Sequence, residues 1–132
     1  MIYRIIEGFE NMNTDDVTRL LGTTYWAKDR TKEQIERSAR NSACYGVVTA
    51  DGDKLVGFAR VVTDHATMYH LCDVVIDEEY RRKGMGTALV EYIENKPEYE
   101  GMYGVLKTRD AHRLYKKFGY EEISEGMMLK GR

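Results

Sequence analysis

"YRRKGMGTAL", residues Tyr80 to Leu89, sets three cations directly ahead of two glycines and opens an amphipathic run. Met85, Ala88, Leu89, Tyr92 and Ile93 fall at i, i+3, i+4, i+7 and i+8, the spacing of one helix face. The spacing predicts a helix that starts near Gly84. A helix start leaves backbone N–H groups without intrahelical partners and carries a partial positive charge. Glycine adds close access to that backbone, because no Cβ stands in the way. With Arg81, Arg82 and Lys83 at the mouth, the turn suits a phosphate or pyrophosphate. The same residues also suit a plain solvated basic turn.

Two familiar phosphate motifs do not fit. A P-loop needs a lysine after its last glycine, and Thr87 follows Gly86. A dinucleotide fingerprint needs a third glycine where Leu89 stands, directly after a strand; here "DEEYRRK" intervenes.

Upstream, the pattern has the period of strands. "CYGVVTA", "KLVGFARVV" and "MYHLCDVVI" are three β-rich runs, the first two around an Asp-Gly turn, and they predict an antiparallel meander. Ahead of them, "IYRII" alternates like a strand. Asn13 then caps a short helix over "TDDVTRLL" that stops at Gly22. Thr31 and Gln34 have capping-box spacing and open a second, polar helix. Downstream, Pro97 closes the central helix and "MYGVL" reads as a strand. Thr108 or Asp110 caps a last helix whose Ala111, Leu114, Tyr115 and Phe118 share a face, with Gly119 as its stop. Two short strands are expected near "YEEI" and "MMLK". The order is β-α-α-β-β-β-α-β-α-β-β, an α/β fold with a mixed, mostly antiparallel sheet and helices on both faces.

The chain has 132 residues, which suits a single domain over 1–132. Its apolar share of 42% and charged share of 32% are those of a globular protein. A net charge of -2 argues against general nucleic-acid binding. No stretch approaches the ~20 apolar residues of a membrane span. Cys44 and Cys72 have no metal-ligand or disulfide spacing and read as free thiols; with no signal segment, the expectation is a cytoplasmic protein without a metal.

Arg81, Gly84 and Gly86, placed after the fourth strand and opening the third helix, resemble the Arg/Gln-x-x-Gly-x-Gly/Ala motif of the GNAT N-acetyltransferase superfamily. "AHRLYKKFGY" is similar to that family's second signature, Ala-x-x-Leu-Tyr-x-x-x-Gly-Phe. The expected elements cover nearly the whole chain in the family's order. Where many members have glycine, proline and asparagine, this chain has Arg82, Asp77 and Thr108. The resemblance implies that strands four and five splay apart and that acetyl-CoA is the cosubstrate in the gap. Its pyrophosphate would rest on Arg81, Arg82, Lys83, Gly84, Met85, Gly86 and Thr87. The main chain of Val74, Val75 and Ile76 would lie beside the thioester, and Thr108 would cap the last helix or touch the pantetheine arm. It implies direct transfer of acetyl to a primary amine, with Tyr115 as general acid; packing is the plainer role for that ring.

The acceptor side is less marked. Asp73, a carboxylate inside an apolar strand, is a candidate base or amine anchor, or a satisfied structural acid. His70 has a pKa suited to a base, though a lone histidine is commonly structural. Tyr25 and Trp26 lie in the segment the family uses as a wall of the acceptor site. Arg60 and Arg109 could hold an acidic group on the acceptor or be surface charge. Glu121, Glu122 and Glu125 read as a solvated edge. A small-molecule or protein amine is the expected partner, and the meander surface could serve a homodimer. A CoA-sensing module without turnover, or transfer of another acyl group, are the alternatives.

Overall fold

The structure is a computed structural model that describes residues 2–123 and 126–131. Its elements are β1 (Tyr3–Glu7), α1 (Thr14–Gly22), α2 (Lys32–Arg40), β2 (Ala43–Thr49), β3 (Leu55–Thr63), β4 (Met68–Ile76), α3 (Met85–Glu94), β5 (Tyr103–Val105) and α4 (His112–Lys116). One sheet runs in the order β1-β2-β3-β4-β5. Its first four strands are antiparallel, and β5 lies parallel to β4.

The caps read from the sequence form. Asn13 Oδ1 accepts the Asp16 N–H at 3.1 Å. Thr31 Oγ1 accepts the Gln34 N–H at 3.1 Å while Gln34 Oε1 accepts the Thr31 N–H at 3.0 Å, so α2 opens on a capping box. Each such cap contributes about 1 kcal/mol.

Alternation along the strands builds a core on each side of the sheet. Tyr45, Val47, Ala59, Val61 and Leu71 meet Met85, Leu89, Val90 and Ile93 of α3. Cys44, Val48, Phe58 and Val75 meet Val17, Leu20 and Leu21 of α1 and Ile35 of α2. A bulge in β4 changes the phase between them. The register against β3 shifts between Phe58 and Arg60, and Asp73 takes a left-handed φ of 59°. Tyr69 and Leu71 therefore share the α3 side with Val74 and Ile76, while Val75 turns to α1.

The strands splay as expected. β4 pairs with β5 only over Met68–His70 against Tyr103–Val105. From residue 71 to 76, β4 has no strand on that side among the described residues, and its outward main-chain groups line a gap.

Two expectations are corrected. No strand forms at "YEEI" or "MMLK" among the described residues. A strand needs a face to bury, and Ile123, Met127, Met128 and Leu129 are 53–94% exposed. The last helix is also shorter than its apolar pattern, running only over His112–Lys116. Gly119, at φ 91°, ends the turn, and the Tyr120 N–H bonds the Tyr115 carbonyl at 3.3 Å.

Candidate active site

The basic glycine turn sits at the open end of the gap. Arg82 and Gly84 both have left-handed φ, 64° and 83°, which bends the backbone into a concave seat of N–H groups. Gly84 caps α3; among the described residues no side chain bonds the first N–H groups of the helix, and no acid stands in its first turn. The donors of Met85, Gly86 and Thr87 thus face outward, where an anion is favoured. Gly84 is required by its φ. Gly86 is not: its φ is not positive, and an added Cβ would meet only Ile76 Cγ1 at 3.6 Å. What glycine supplies there is room for a ligand against the backbone. Arg81 Nε donates to the Ile76 carbonyl at 3.0 Å and ties the turn to the end of β4; Arg82 and Lys83 are exposed.

Tyr115 comes from the helix that follows β5. Its ring is buried, packed edge-on to Tyr120 with centroids 6.1 Å apart. Among the described residues its hydroxyl has no hydrogen-bond partner, and it is not sealed from solvent. Burial, with help from Asp110 and Glu94, pushes its pKa up to about 12, so the group stays protonated at neutral pH. Thr108 Oγ1 accepts the Ala111 N–H at 3.0 Å, so its hydroxyl oxygen holds the entrance to α4.

Asp73 is a hub rather than a free base. Its Oδ1 accepts from Trp26 Nε1 at 3.0 Å; its Oδ2 accepts from Arg30 Nη1 at 2.8 Å and Arg60 Nε at 2.9 Å. Burial raises its pKa, but the Arg30 hydrogen bond and the charges of Arg60 and Arg30 outweigh that and leave it below the usual carboxylate value. A carboxylate held ionised by two guanidiniums is a poor proton acceptor, which corrects the expectation of Asp73 as base. It also explains Trp26, half-buried and bonded to Asp73 rather than free to stack on a ligand.

His70 lies on the same face as Arg60, since Val62 is its partner across the strands and Cys72 is that of Arg60. Burial and the Arg60 charge push its pKa down, so at neutral pH the imidazole is uncharged and can accept a proton. Tyr25 is 48% exposed and stacks under Arg109, whose guanidinium carbon lies 3.8 Å from the ring centroid. The α1–α2 connection and the loop before α4 therefore meet across the mouth. Glu122 lies near Lys116 and His112, both at 3.4 Å; Glu125 lies outside the described residues.

Two features escaped the sequence reading. Arg30 sits in a loop of mixed charge, 43 residues from Asp73, and nothing local marks it. Glu94 accepts from the hydroxyls of Tyr69, at 2.5 Å, and Tyr120, at 2.8 Å, which only the packed fold brings together. A cavity of about 600 Å³ lies elsewhere, lined by Glu7, Phe9, Glu10, Arg40, Ser42 and Glu98 among others. None of the candidate residues lines it; the gap is the open, chemically equipped place.

The family described as "Acetyltransferase (GNAT) domain" matches residues 41–122. A solved protein of the GNAT family from Xanthomonas campestris is 28% identical, with a TM-score of 0.92 over 100% of this chain and 94% of that one. GCN5-related N-acetyltransferase 2, chloroplastic, of Arabidopsis thaliana is 33% identical over 76 residues, 56% of this chain and 30% of that protein. Histone acetyltransferase TAP1 of Glycine max is 29% identical over 76 residues, 56% of this chain and 33% of that protein. The chain thus spans about a third of the length of these two curated relatives.

Proposed function

We propose that this chain, which belongs to the GNAT acetyltransferase family, moves an acetyl group from acetyl-CoA directly to a primary amine. The observation that carries this reading is the unpaired edge of β4, with the glycine turn of α3 at one end and Tyr115 carried by the helix after β5. The residues present fit the donor. The Arg81–Thr87 turn supplies N–H groups and cations for a pyrophosphate, and the edge of β4 supplies main-chain groups for an extended arm.

The transfer is balanced in three movements. The amine nitrogen forms a bond to the acetyl carbon, the carbon–sulfur bond breaks, and the sulfur leaves with the electron pair. One proton must leave the amine and one must reach the sulfur. Tyr115, with its hydroxyl protonated and without a partner among the described residues, is suited to give the second. N–H groups of Val74, Val75 or Ile76 that face the gap can meet negative charge on the carbonyl oxygen. For the first proton, His70 is uncharged and shares a face of the sheet with Arg60. A lysine-like amine is only about 0.1% neutral near pH 7.4, a cost of roughly 4 kcal/mol, so this step matters. The unpaired thiols Cys44 and Cys72 support a reducing, cytoplasmic setting for this work.

Acetyl-CoA should raise the melting temperature, and thiol release should follow when an amine is added. Tyr115→Phe should lower kcat by about 10²-fold with acetyl-CoA binding retained. Undiminished kcat in that variant would remove the general-acid role. Stabilisation by acetyl-CoA with no thiol release for any amine would mark a binding module instead.

A further inference from the structure

The acceptor side holds a charge that the protein does not balance. Arg30 and Arg60 share a single carboxylate, Asp73. The side chains are 20% and 13% exposed, and that of Asp73 is 1% exposed. Neither arginine pairs with another acid among the described residues. The remaining Arg60 contact is to a neutral group, Ser42 Oγ, 3.1 Å from Nη1. The neighbouring thiols stay protonated, since burial raises Cys72 to about 11 and Cys44 to about 12; Glu10 acts on Cys44 from an exposed position and makes no ion pair with either arginine among the described residues. His70 is uncharged. The cluster therefore carries one net positive charge in a largely buried position, an arrangement that is costly unless an anion completes it.

Its placement says where that anion comes from. α1 and α2 cover this face of the sheet over Cys44, Phe58 and Val75, but Val62 and Met68 beyond them are 42% and 38% exposed. Arg60 and Cys72 stand between the two zones. No donor atom of either arginine is both buried and unpartnered, so the guanidinium hydrogens that Asp73 and Ser42 leave free are open to solvent. Asp73 itself is the bulge residue next to Val74, at the edge where the thioester would lie.

We infer that the acceptor is an amino acid, whose carboxylate docks on the Arg30–Arg60 pair while its amine, a few bonds away, reaches the gap. The inference rests on the acetyl-transfer reading above. A carboxylate brings one negative charge against one unbalanced positive charge, and its two oxygens match the guanidinium fork.

The test compares matched acceptors by thiol release from acetyl-CoA: leucine, phenylalanine, glutamine and β-alanine, each against its amide and its decarboxylated amine. The acids should exceed both neutral partners at least tenfold in kcat/KM. Arg60→Gln should bring that ratio near one, mainly through KM for the acid. If that variant does not fold, propionate should serve in the unaltered protein, raising KM for the acid without changing kcat. Equal or better turnover of the amides and amines would overturn the inference and leave acetyl transfer standing. So would stabilisation by acetyl-CoA with no acid turned over. No stabilisation by acetyl-CoA would instead overturn the transfer reading itself, and this inference with it.

Discussion

At the residue scale, Gly86 separates ligand binding from folding. A glycine is commonly kept by its φ or by a neighbour that a Cβ would strike. Neither holds here, since the nearest atom to an added Cβ is Ile76 Cγ1 at 3.6 Å. Gly86→Ala should therefore fold as well or slightly better, because alanine lowers the entropy of the unfolded chain and gains about 0.4–1 kcal/mol. The same methyl group would stand where a pyrophosphate must approach the N–H groups. A thermal melt should show an equal or higher melting temperature, while titration with acetyl-CoA shows affinity reduced by about tenfold or more, about 1.4 kcal/mol. Unchanged affinity would argue against the glycine turn as the seat. Gly84→Ala is the contrast: at φ 83° any side chain is strained, at about 1–2 kcal/mol.

At the element scale, Glu94 holds three parts of the fold together. It stands near the end of α3 and accepts hydroxyls from Tyr69 of β4 and Tyr120 beyond α4. Gly104 of β5 lies under both rings, where an added Cβ would come within 2.8 Å of Tyr69 and 3.1 Å of Tyr120. Tyr120 in turn packs edge-on to Tyr115. Glu94→Gln removes the charge that both hydroxyls address, and should cost about 1.5–3 kcal/mol in denaturant unfolding. Because Tyr115 leans on Tyr120, kcat should fall more than KM rises. An equal loss in kcat for a variant destabilised to the same degree elsewhere would make the effect merely structural. The helices and the first five strands were legible in the sequence because their signals are local: Asn13, the Thr31–Gln34 pair, the Asp-Gly turn, alternating apolar residues. Asp73 stood out for the same reason, as an acid inside an apolar strand. Its partners did not, because Arg30 and Arg60 reach it across loops and strands that only folding aligns. The strands expected at "YEEI" and "MMLK" failed for the converse reason: local β-propensity was present, and a surface to bury was not.

At the scale of the whole molecule, the net charge of -2 conceals a basic turn at the start of α3, and a cluster of buried phenols packs beside the same helix. Tyr45 and Tyr99 share a hydroxyl contact at 2.6 Å, Tyr99 stacks on Tyr69, and Tyr69 and Tyr120 meet at Glu94. This chain of rings crosses the core beside α3, and it fixes how stability responds to base. Burial, together with the hydrogen bond to Glu94, raises Tyr69 to about 12; burial with the charges of Asp110 and Glu94 raises Tyr115 to about 12. In the unfolded chain both ionise near ~10. Below that value the two states are equally protonated and the full stability is present. Above it the unfolded state gives up its protons first, so stability falls as pH rises towards the folded values. Each group contributes roughly 3 kcal/mol to that loss once pH has passed both values. Tyr45 and Tyr120, raised further, add to it in the same direction. Melting temperature should hold steady to about pH 9.5 and then fall, with the share of tyrosinate absorbance that belongs to the buried rings rising together with unfolding rather than before it. Tyr115→Phe removes one contributor, so its melting temperature should fall less steeply over the same range. A tyrosinate signal that developed fully in the folded protein would show that these rings are not held out of water.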